Sequence, residues 1–74
     1  MTTQAESQAN RISLEQAAAA AEAEWRGAFE LLKEAIRFRH GIEAAALRER
    51  ETWRLYRAAT SRLTRKLLND ARLQ

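Results

Sequence analysis

The chain has 74 residues, 13 of them basic and 10 acidic, with two glycines, one histidine and neither cysteine nor proline, which makes room for one small domain. That composition excludes a disulfide-stapled fold, a zinc ribbon and the usual transition-metal sites, so neither metal nor cofactor is expected. No apolar stretch approaches the roughly 20 residues that span a bilayer, and Met1–Asn10 carries no basic side chain, so a cytoplasmic chain with no membrane contact is expected.

Hydrophobic residues form 46% of the chain, but 16 of them are alanine and valine is absent. Only 18 larger apolar or aromatic side chains remain to build a core, and a chain this small needs more than that to stabilise itself alone. Self-association is therefore expected. The formal charge of +3 is unevenly spread, −2 over residues 1–38 and +5 over residues 39–74. An antiparallel helix pair can use such an asymmetry to set its register.

In chain order, residues 1–10 are expected to be frayed or loosely helical. Ser13-Leu14-Glu15-Gln16 spells a capping box, so a first helix is placed at about 13–39; Thr3-Gln4-Ala5-Glu6 spells the same signal earlier. Leu14, Ala18, Ala21, Trp25, Ala28, Leu32 and Ala35 recur at spacings of four and three, and Phe29, Ile36, Leu31 and Phe38 flank them. A turn is placed at His40-Gly41, where glycine follows Arg37, Arg39 and His40, with Ile42 packing back on Ile36 in a Schellman arrangement. A second helix at about 42–71 continues the stripe through Ile42, Ala46, Glu49, Trp53, Tyr56, Thr60, Leu63 and Leu67.

The unbroken stripe also fits one continuous coiled-coil helix of about 90 Å. Against it, the apolar face around residues 25–38 is too broad for a two-stranded seam and calls for neighbours on both sides. The expected fold is therefore all-α: an antiparallel two-helix hairpin over 11–74 that dimerises into a four-helix bundle. Its core and dimer face are assigned to Trp25, Phe29, Leu32, Ile36, Phe38, Ile42, Trp53, Tyr56, Leu63 and Leu67.

The most distinctive surface feature is arginine placement. At 100° per residue Arg50, Arg54, Arg57, Arg65 and Arg72 fall in a sector of about 80°, with Leu47 and Leu68 projecting into it. The plain reading is a solvated face paired locally with Glu43, Glu49 and Glu51. The functional readings are an acidic protein partner or the phosphates of a nucleic acid. No nucleophile, base and acid stand at catalytic spacing, so a non-enzyme is expected. The first partner-binding candidates are Leu47, Arg50, Arg54, Leu55, Arg57 and Arg65.

Trp25-Arg26-Gly27 is similar to the Trp-X-Gly turn of the helical-hairpin substrates of type VII secretion. Gly27 lies inside the apolar face, however, and Tyr56 is followed four positions on by Thr60 instead of an acid, so a turn at 27 is not expected. In length, in Ala/Arg/Glu make-up and in its expected hairpin break at His40-Gly41, the chain resembles small helical accessory proteins of temperate phages of high-GC bacteria. That resemblance implies an inhibitor or modulator of a host transcriptional regulator or ATPase. A nucleic-acid accessory protein using the Arg50–Arg72 stripe and a purely structural coiled coil are the alternatives.

Overall fold

A computed structural model describes residues 4–73. Two α-helices, α1 (Gln4–Phe38) and α2 (Ile42–Arg72), pack antiparallel into a hairpin. The hairpin measures 55 × 17 × 14 Å, so the continuous 90 Å rod does not form. Its radius of gyration is 16.7 Å, against about 11 Å for a compact globule of this length. Among the described residues no helix is long and apolar enough to cross a membrane. Gly27 lies within α1, with no turn there.

Helix α1 already includes Gln4, nine residues before Ser13, so the capping spelling at Ser13 does not mark its start; Met1–Thr3 lie outside the described residues. Residues 4–10, expected to be frayed or loosely helical, lie within α1. A polar clasp to the far end of α2 accompanies this order. Lys66 Nζ donates to Ser7 Oγ at 2.8 Å, Ser7 Oγ donates to Asp70 Oδ1 at 3.4 Å, and Lys66 pairs with Asp70 at 3.1 Å. Hydrogen bonds to charged groups each contribute about 1.5–3 kcal/mol when shielded, less at this partial exposure.

The turn falls at residues 39–41, and its chemistry differs from the expected one. The left-handed residue that closes α1 is Arg39 (φ 53), not Gly41. The His40 amide donates to Ala35 O at 3.0 Å and the Arg39 amide to Ile36 O at 3.3 Å, the two bonds of a Schellman motif. The position after the left-handed residue is therefore His40, and Ile42 belongs to the first turn of α2. Gly41 is also left-handed (φ 67), but it serves as the N-cap of α2, where its carbonyl accepts from the Ala45 amide at 3.1 Å. An arginine in this region costs about 1 kcal/mol that glycine avoids. Arg39→Gly is accordingly expected to raise the melting temperature by about 4–8 °C, measured by circular dichroism at fixed chain concentration.

Packing between the helices uses a narrow seam. On α1 it follows the expected stripe, with Ala18 and Ala28 buried and Leu14, Ala21, Trp25, Leu32 and Ala35 half-buried. On α2 it runs one residue earlier than expected at alternate positions. Thr52 and Ala59 are buried where the stripe had Trp53 and Thr60, and Lys66 is half-buried beside an exposed Leu67. Thr52 is 1% exposed, and its hydroxyl donates back to Arg48 O and Glu49 O at 2.9 and 3.0 Å, so the buried oxygen is satisfied within its own helix.

The two edges of the seam differ in side-chain size. One carries Ala21, Ala28, Ala45, Thr52 and Ala59; the other carries Trp25, Leu32, Tyr56 and Leu63. Trp25 lies 4.9 Å from Trp53, 5.8 Å from Phe29 and 5.9 Å from Tyr56, ring centre to ring centre, and its Nε1–H donates to Glu49 Oε1 at 3.1 Å. Small residues let the helices approach along one edge while the aromatic group fills the other. Trp25 opposite Trp53 and Ser7 opposite Asp70 set the register.

Of the ten residues assigned to the core and dimer face, Trp25, Leu32, Tyr56 and Leu63 line the seam of the single hairpin. Phe29, Ile36, Phe38, Ile42, Trp53 and Leu67 do not; they are exposed, because a two-helix layer buries one narrow strip and leaves both flanks to solvent.

Candidate functional site

The seam positions of α2 fix what its other faces present. Turning away from Thr52, Tyr56 and Ala59 brings Leu47, Arg54, Ser61 and Leu68 to the outer face, with Arg50 and Arg57 beside them. Leu47, Arg50, Arg54 and Arg57 line one open cleft together with Trp53 and the small residues Ala58 and Ser61, and Glu51 adds the single acid. Leu47, 62% exposed, is an apolar side chain in a cleft that three arginines also line.

The expected local neutralisation of these arginines does not occur. The ion pairs among the described residues are Arg11–Glu15, Arg26–Glu22, Lys33–Glu30 and Lys66–Asp70, and none involves an arginine of α2. Glu49, which has no arginine three or four residues away, faces the seam and accepts the hydrogen bond from the Trp25 indole. Arg48, Arg50, Arg54, Arg57, Arg62, Arg65 and Arg72 are left as an unpaired cationic surface. Each guanidinium retains its planar fork of donors for a carboxylate or phosphate.

Four of the six partner-binding candidates, Leu47, Arg50, Arg54 and Arg57, therefore come together. Leu55 and Arg65 do not line the cleft. Leu55 projects from the flank beside the small-residue edge, 49% exposed, and Arg65 sits two turns beyond Arg57. Trp53, assigned to the core and dimer face, also lines the cleft. Its signal was available in the sequence: shifting the α2 stripe back one residue puts Trp53 at the seam's edge and Thr52 inside.

No titratable cluster suited to catalysis accompanies the cleft, and among the described residues no group of three His, Cys, Asp or Glu side chains is placed to hold a metal ion. Comparison with family models, with curated proteins and with solved structures gives no match.

Proposed function

We propose that the chain is a non-enzymatic protein-binding module, a self-associating helical hairpin whose α2 outer face takes an acidic, amphipathic segment of another protein. The observation that carries this reading is the cleft in which Leu47 and Trp53 sit among the unpaired Arg50, Arg54 and Arg57. An apolar anchor in the cleft and carboxylates on the guanidinium rim would satisfy both chemistries at once, whereas a phosphate backbone would use the arginines and leave Leu47 in water. Occupying such a segment blocks whatever assembly the partner makes with it. The resemblance in size and make-up to small phage accessory proteins suggests a host regulator or ATPase as the class of partner.

The test uses two labelled probes, a helical peptide carrying leucines at i, i+4 among glutamates and a duplex DNA of random sequence. The peptide is expected to bind, and Arg50→Ala, Arg54→Ala and Arg57→Ala are each expected to weaken it about tenfold, the loss of one charged hydrogen bond. Leu47→Ser is expected to weaken the peptide as well. Peptide affinity unchanged in the arginine variants would overturn the reading. Duplex binding that falls steeply with salt and ignores Leu47→Ser would move the assignment to a nucleic-acid accessory role.

A further inference from the structure

The flank of the seam that borders Trp25 and Tyr56 carries Phe29 and Ile36 from α1 and Ile42, Trp53 and Leu67 from α2, all at least 40% exposed. Seven-residue spacing puts Phe29 and Ile36 on one line of α1, and Trp53 and Leu67 on one line of α2. The Trp25 contacts with both Phe29 and Trp53 show that the two lines share one side of the hairpin. Four of these five residues lie in the half nearest the turn; the other half of the same flank carries Gln8, Glu15, Glu22 and Thr60.

The amount of surface points to the occupant. The chain exposes 6205 Å², about 1,500 Å² more than a compact monomer of its mass. Covering that excess on two chains would bury about 3,000 Å² in total, inside the range of obligate homodimers. A second copy is the partner whose patch has the same shape, chemistry and size.

We infer that this aromatic flank receives a second copy of the chain with both turns at the same end. This rests on the self-association proposed above and adds the face and the orientation. Two hairpins stacked on this face over their full length, as the area above requires, have two symmetric choices. With the axis along the helices, α1 lies over α2 of the second copy in the same register as within one hairpin. Ile36 then meets Ile42 of the second copy, Phe29 meets Ala46 and Trp53, and Glu22 comes level with Arg57 at the rim. With the axis across the helices, α1 lies over α1 reversed, so Phe29 falls on Glu15, Ile36 on Gln8 and Trp53 on Thr60. Only the first choice buries apolar side chains against apolar side chains and leaves carboxylates outside. The α2 outer face keeps Leu47, Arg50 and Arg54 open in it, while Trp53, on the border between the two faces, is covered by the second copy.

Charge-swap rescue tests the orientation. Ile36→Glu and Ile42→Lys are each expected to raise the dimer dissociation constant about a hundredfold, because each buries two like charges without partners. Both residues are more than 40% exposed in the hairpin, at 55% and 41%, so each variant keeps its helix content by circular dichroism. Mixing the two is expected to restore a heterodimer, read by sedimentation velocity. The carboxylate introduced at position 36 of one chain then faces the ammonium introduced at position 42 of the other, and the remaining native pair faces itself. Wild-type chain that sediments as a monomer would overturn the inference and the self-association reading together. A wild-type dimer that tolerates both substitutions, or variants that dissociate without rescue on mixing, would overturn the face or the orientation and leave self-association standing.

Discussion

Trp25→Ala is expected to destabilise the hairpin by about 3 kcal/mol, the low end of the range for truncating a core aromatic because the ring is half-buried. The indole is the hub of the aromatic edge, in contact with Phe29, Trp53 and Tyr56, and the rings it touches come from both helices. Alanine removes those contacts together with the hydrogen bond to Glu49 and opens the seam at mid-length. At about 4–8 °C per kcal/mol for a domain of this size, the melting temperature falls by roughly 12–24 °C. Trp25→Phe separates the two contributions. It keeps a ring but loses the indole N–H, and is expected to cost about 1 kcal/mol. Thermal unfolding followed by circular dichroism at one chain concentration reads both variants. Equal losses for alanine and phenylalanine would show that the hydrogen bond, not the ring cluster, holds the edge.

Ala28→Leu carries the second large effect. Ala28 is 4% exposed on the small-residue edge, where the close approach of the helices depends on Ala28, Thr52 and Ala59 having little side chain. Three added carbons have no void to enter, so the helices must separate on this edge and loosen the aromatic contacts opposite. Overpacking of this kind costs about 1–3 kcal/mol. Ala23→Leu, on the exposed back of the same helix, is the control and is expected to change stability by less than about 0.5 kcal/mol. Denaturant unfolding of the pair reads the contrast. A stable Ala28→Leu variant would mean that the seam is not close-packed at this level.

Much of the hairpin is legible in the residues themselves. The stripe from Leu14 to Ala35 lines the seam as its spacing says, with Ala28 and Ala35 inside and the larger Phe29 and Ile36, one position on, turned to the flank. On α2 the expected stripe takes the larger residues instead. Trp53 and Leu67 outweigh Thr52 and Lys66 in any hydrophobic count, yet the two-helix contact takes the smaller residues and turns the larger ones toward the flank. Hydrophobicity tells what wants cover; side-chain volume decides which residues a single neighbour can cover, and the difference is left for a further layer. The turn shows a similar limit. Glycine draws attention to position 41, but no pattern of residue types marks Arg39 as the left-handed closure, since that depends on where the last carbonyls of α1 find donors. In the candidate site the arginine sector is readable from angular spacing alone. That the arginines remain unpaired is not, because Glu51 stands three residues from both Arg48 and Arg54 and yet pairs with neither.

These points share one physical cause. A seam built of alanine and threonine makes a thin hairpin, and a thin hairpin leaves Phe29, Ile36, Ile42 and Trp53 uncovered. Sedimentation equilibrium of the wild-type chain at micromolar concentration tests that account most directly. The expected result is a particle of twice the 8.5 kDa chain mass, dissociating to helical single chains on dilution. A fully helical, cooperatively melting species that stays at 8.5 kDa at every concentration would contradict it.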